Sequence, residues 1–95
     1  MSSTVHDKDI TIEVRTPSNA PHDFTIKASS RVDKLAREAV KYFFGQGLLA
    51  DGEYGLALVR DGVATPLDDA GRLDEDDVVD GDVLALVAKK PKVDG

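Results

Sequence analysis

The densest run of side chains able to do chemistry is acidic. Between residues 68 and 82 stand Asp68, Asp69, Asp74, Glu75, Asp76, Asp77, Asp80 and Asp82. Such a run suggests a calcium loop, which needs carboxylates at positions 1, 3 and 5, a glycine at 6 and a glutamate at 12. Starting at Asp76, Asp80 and Gly81 fit positions 5 and 6, but Val78 fails at 3 and Val87 fails at 12. No other start does better, so the run reads as a solvated acidic loop. Asp74 and Glu75 would act as general acids only beside a pocket, and the sequence suggests none.

The other reactive types are as poorly placed. His6 and His22 lack spaced partners that read as a metal site, and both are expected to be solvated. There is no cysteine, which excludes a disulfide, a thiol nucleophile and a thiolate metal site, and suits a reducing cytoplasm, the expected location. Gly45-Gln46-Gly47 follows a helical pattern instead of opening one, so it is a helix stop and not a phosphate loop. Ser29 and Ser30 have no base nearby in sequence; capping accounts for them. No enzyme, no cofactor and no metal site are expected.

The bulk properties agree. With 95 residues the chain fits one domain, which has room for one modest core and little for a deep cleft. Its net charge is −6 and its one local basic cluster is Lys89, Lys90 and Lys92, so nucleic acid is excluded as a partner. No apolar run approaches the roughly 20 residues that a membrane helix needs.

The periodicity gives the elements. Residues 1–8 read as a flexible leader, 9–88 as the domain and 89–95 as a mobile tail. Ile10, Ile12 and Val14 alternate with polar residues, as do Phe24 and Ile26, around the break Pro17-Ser18-Asn19-Ala20-Pro21; this predicts a β-hairpin. Val32, Leu35, Ala36, Ala39, Val40 and Phe43 form a helical stripe, with Ser30 as the expected N-cap. Segment 54–60 is a strand, Asp61-Gly62 predicts a type I′ turn, and residues 63–67 form a short edge strand. Leu73 and Val78 should pin the acidic loop to the core. Residues 83–88 (VLALVA) are the most apolar strand and should lie mid-sheet, parallel to the first strand. The expected fold class is α+β: two layers, a mixed four- to five-stranded sheet with one main helix on one face.

The opening strand ITIEV, the Ser-capped helix with Val32, Leu35 and Ala39, the LALVRDG strand and turn, and the closing LDEDDVVDGDVLALV resemble ubiquitin and its β-grasp relatives over residues 9–88. That fold hosts many functions. If Leu84, Leu86, Leu56 and Leu58 face the helix, then Val59, Ala85 and Val87 face outward on neighbouring strands as an apolar cluster. The resemblance implies that this cluster is a partner-binding face. It also implies that the C-terminal carboxylate of Gly95 is the conjugation point: an E1-like adenylating enzyme would activate it, an E2-like enzyme and a deconjugating protease would follow, and target proteins would receive it. Modifiers of this kind usually end in two glycines, whereas here Asp94 precedes Gly95; single-glycine tails resemble those of bacterial ubiquitin-like modifiers. The alternative implied is a non-conjugated adaptor or accessory subunit acting by protein–protein binding.

Overall fold

The computed structural model describes residues 8–89. Strand β1 (Asp9–Arg15) buries Ile10, Ile12 and Val14, as the alternation requires. Thr16, buried just beyond it, organises the turn: its Oγ1 accepts the Ala20 N–H at 3.0 Å and its own N–H donates to the Ala20 carbonyl at 3.0 Å. Strand β2 (Pro21–Lys27) then returns antiparallel along β1 at the sheet edge, where a proline costs no ladder bond.

Helix α1 (Val32–Gly45) buries Val32, Leu35, Ala36, Ala39 and Phe43 against the sheet. Its start corrects the sequence expectation. The N-cap is Arg31, not Ser30, and no side chain caps the helix. The first amides instead donate to backbone carbonyls of the acidic loop: Val32 N–H to Gly71 at 2.9 Å and Asp33 N–H to Asp69 at 3.2 Å. These bonds satisfy donors that every helix leaves orphaned at its start. At the other end Gly47 has φ +74°, and the N–H groups of Gly47 and Leu48 donate to the Phe44 and Phe43 carbonyls at 3.0 and 2.9 Å. That pair of bonds is a Schellman motif, and glycine is the residue that takes its left-handed position without strain.

Strand β3 (Tyr54–Arg60) pairs with β4 (Val63–Pro66) through Asp61 and Gly62, whose φ values of +53° and +77° are those of the expected type I′ turn. Strand β5 (Val83–Ala88) closes the five-stranded sheet, whose order is β2-β1-β5-β3-β4. It runs parallel to β1 and antiparallel to β3, so the most apolar strand is central, as its composition predicts. Leu73 and Val78 enter the core and fasten the acidic loop beneath the helix start.

Candidate functional site

The strand registers decide which side chains share the face away from the helix. Leu56 pairs with Leu86 and Leu58 with Leu84, and all four are buried towards α1. Between them Gly55 lies opposite Val87, Ala57 opposite Ala85, and Val59 opposite Val83. The rows continue on β4, with Pro66 beside Ala57 and Ala64 beside Val59. In the other direction they reach Glu13 and Arg15 on β1, then Asp23 and Pro21 on β2.

The outward face is therefore divided. Its β5-β3-β4 half is apolar, whereas its β1-β2 half carries charges, including an ion pair between Arg15 and Glu13. Val59, Ala85 and Val87 do stand together on the apolar half. Val87 is the most open at 50% exposure, while Val59 and Ala85 are half-buried. The geometry adds Ala57, and with it Val83, which the alternation of β5 also turns outward. Ala57 is 2% exposed, its methyl lying in a row between Ala85 and Pro66. The result is a contiguous apolar strip, or saddle, across β5, β3 and β4, with Val87 half exposed at one end. The alternation Leu56-Ala57-Leu58 already places Ala57 outward, as Leu84-Ala85-Leu86 does Ala85.

Charged contacts fasten the ends of β3 and β5. Arg60 Nη2 donates to the Asp82 carboxylate and to the Asp77 carbonyl, both at 2.7 Å. The bond to Asp82 holds the guanidinium above its ordinary pKa, against the opposing effect of burial. At the other end Lys89 hydrogen-bonds Asp69, and that bond raises the ammonium pKa, with the charges of Asp69, Glu53 and Asp33 adding to it. The Lys89 N–H donates to the Glu53 carbonyl at 2.9 Å, extending the β3–β5 ladder by one residue. Gly95 and His6 lie outside the described residues.

Two other sequence readings change. His22 is not a solvated histidine: it is half-buried and stacks on Tyr42 with ring centroids 3.9 Å apart and planes 17° apart, edge-on to Phe24. It is a packing residue that fastens the β2 edge to the last turns of α1. The acidic loop is also not simply solvated. Asp80 Oδ1 accepts the Thr11 N–H at 2.7 Å, Asp68 Oδ1 accepts the Ala70 N–H at 3.1 Å, and Asp82 Oδ2 accepts the Val79 N–H at 2.9 Å. Asp68 and Asp82 serve the loop's own backbone, and Asp80 ties the loop to β1. Among the described residues no group of three His, Cys, Asp or Glu side chains could hold a metal ion, and no helix is long and apolar enough to cross a membrane.

One helix laid across a five-stranded mixed sheet, with a central last strand, is the ubiquitin-like β-grasp fold, and the comparisons with solved structures agree. The C-terminal ubiquitin-like domain of mouse tubulin-specific chaperone e is similar with a TM-score of 0.72 and 18% identity, covering 99% of this chain and 100% of that one. Ubiquitin from Caldiarchaeum subterraneum is similar with a TM-score of 0.59 and 18% identity, covering 90% of this chain and 100% of its own. A chain of an ESX-5 inner membrane complex is similar with a TM-score of 0.61 and 22% identity; the likeness covers 92% of this chain but only 23% of that one. No protein-family model and no curated protein matches the sequence.

Proposed function

We propose that this chain is a non-enzymatic ubiquitin-like modifier, of the kind that bacteria use with their own activating and conjugating enzymes. A partner grips the saddle through Val59, Ala85 and Val87 and takes the tail through Gly95. The observation that carries this reading is the course of β5. The central strand passes through the saddle at Ala85 and Val87 and leaves it at Lys89, so docking face and tail are consecutive in the chain. Gly95 stands six residues on, at most about 20 Å away in extended chain. A partner holding the saddle is thereby within reach of the carboxylate, whether Gly95 ends the chain as it stands or after processing. In the reaction a Gly95 carboxylate oxygen attacks the α-phosphorus of ATP and releases pyrophosphate. A thiol of the partner then displaces AMP to form a thioester, and a target amine or hydroxyl displaces the thiol. The adenylating machinery belongs to the partner. Asp94 requires an activating site that accepts a carboxylate where relatives present glycine.

The test is incubation with a cognate E1-like enzyme, an E2-like enzyme and ATP. Adducts of higher mass should form, and deleting Gly95 should abolish them. Adducts that persist without Gly95 would refute the reading.

A second reading, an adaptor that is bound but never attached, is favoured by the extent of the saddle. It continues over β3 and β4 to Ala64 and Pro66, beyond what gripping the tail requires. The similar domain in the ESX-5 complex chain is consistent with such use. For an adaptor, removing residues 91–95 leaves partner binding intact while Val59→Asp weakens it; for the modifier, tail removal is decisive.

A further inference from the structure

A second surface lies on the helix side of the molecule. A groove of about 600 Å³ runs between α1 and the segment 52–54, closed at one end by Asp69 and Lys89. That volume suits one bulky side chain with flanking chain. Ala36, Val40 and Tyr54 supply its apolar lining, and Arg37 and Lys41 stand along the helix wall. The carboxylates that also line it are largely committed: Asp33 accepts from Arg31 at 3.2 and 3.1 Å, and Asp69 accepts from Lys89. Arg37 and Lys41 have no ion-pair partner among the described residues. They are four apart on the helix, an arrangement in which like charges repel. The lining holds three cations and three carboxylates, but with Asp33 paired to Arg31 and Asp69 to Lys89, Arg37 and Lys41 face Glu53 as the one carboxylate of the lining without an ion pair among the described residues.

We propose that this groove binds an extended acidic peptide segment of a partner protein, with an aliphatic or aromatic side chain on Ala36, Val40 and Tyr54 and carboxylates on Arg37 and Lys41. The spacing fits. Residues four apart on a helix are separated by about 6 Å along its axis. Alternate residues of an extended peptide are about 6.6 Å apart and point the same way. An Asp-x-Asp or Glu-x-Glu pattern therefore meets both cations at once. Nucleic acid would meet the same cations, but two cations are few for a phosphate backbone, and only a peptide also fills the apolar lining of Ala36, Val40 and Tyr54. The groove meets the saddle only at its Gly55–Val87 end, through Lys89 and Asp69.

The test is titration of the isotopically labelled full chain with the end-blocked peptide acetyl-Gly-Asp-Leu-Asp-Glu-Phe-Gly-amide, followed by NMR. Saturable shifts are expected at Ala36, Arg37, Val40, Lys41 and Tyr54. Affinity should fall at least about tenfold in Arg37→Glu/Lys41→Glu and less in Arg37→Gln/Lys41→Gln, and it should weaken with added salt. Val59→Asp, at the far end of the saddle from Lys89, should leave the binding unchanged. The proposal is overturned by no saturable shift at about 5 mM peptide, by shifts confined to the saddle, or by tighter binding of a lysine-for-acid peptide or a single-stranded oligonucleotide.

Discussion

Ala57 lies directly opposite Ala85 across the β3–β5 ladder, and both point away from the helix. The Ala57 methyl, 2% exposed, is covered by its neighbours, so a partner meets the side chains around it. The neighbouring row, Val59 opposite Val83, and the half-exposed Val87 supply the apolar contact around it. This relationship turns three selected residues into a continuous surface.

The two ends of that surface should respond differently to a carboxylate. Val87 is 50% exposed, so Val87→Asp should cost less than about 0.5–1 kcal/mol of stability. Ala57 is 2% exposed, so Ala57→Asp should cost about 1–3 kcal/mol by burying an unsatisfied carboxylate. Urea unfolding separates the two. Both substitutions should weaken whatever binds the saddle, and Val87→Asp is the variant in which that loss is not confounded by unfolding.

The helix end offers a pair of opposite signs. A methyl group at Gly47 meets nothing within 4 Å, but the backbone there is left-handed with φ +74°. Gly47→Ala should therefore destabilise by about 1 kcal/mol through conformation alone. Gly45 also has open space around it and is helical. Gly45→Ala should stabilise by about 0.5–1 kcal/mol, because glycine loses more freedom on folding. Equal effects at both positions in chemical denaturation would contradict this account of the Schellman end.

Legibility in the sequence follows the range of the interaction. The type I′ turn at Asp61-Gly62, the inward Ile10, Ile12 and Val14, and the central place of Val83–Ala88 depend on local conformation or simple burial, so they were readable. The helix start was not. Ser30 has the right type and spacing for a cap, but the carbonyls that do the capping, from Asp69 and Gly71, arrive from a loop almost 40 residues away. His22 was misread for the same reason, since its partner Tyr42 is on another element. The outward direction of Val59, Ala85 and Val87 followed from alternation, whereas the pairing of Ala57 with Ala85 required the register of two strands distant in sequence.

The unexpected helix start is itself testable. Replacing an N-cap serine ordinarily costs about 1 kcal/mol. Since no side chain caps α1, Ser30→Ala should cost less than about 0.3 kcal/mol. Its amide and carbonyl, which bond Lys27 and Leu73 at 2.9 Å each, are kept in the variant. A full-sized cap loss in thermal unfolding would show that the hydroxyl reaches the helix in solution.

Acid should loosen the acidic loop at a particular carboxylate. Burial of the Asp82 side chain, 14% exposed, pushes its pKa up, but the bond from Arg60, the Val79 N–H and the Arg60 charge outweigh this and hold it below the ordinary value of 3.8. The unfolded chain therefore binds the proton more readily than the folded one. Stability from this group is complete above the ordinary value and is lost as pH falls through the lower folded value. Asp82→Asn should be less stable than the parent by about 1 kcal/mol at pH 7, by the usual worth of such a bond. That gap should hold at pH well above 3.8 and narrow as the pH falls below that value and the parent carboxylate protonates. Urea midpoints across that range measure it. A gap that stays constant to pH 2 would mean that the asparagine fails by shape, and that the Arg60–Asp82 charge pairing contributes nothing to holding residues 77–82 against β3.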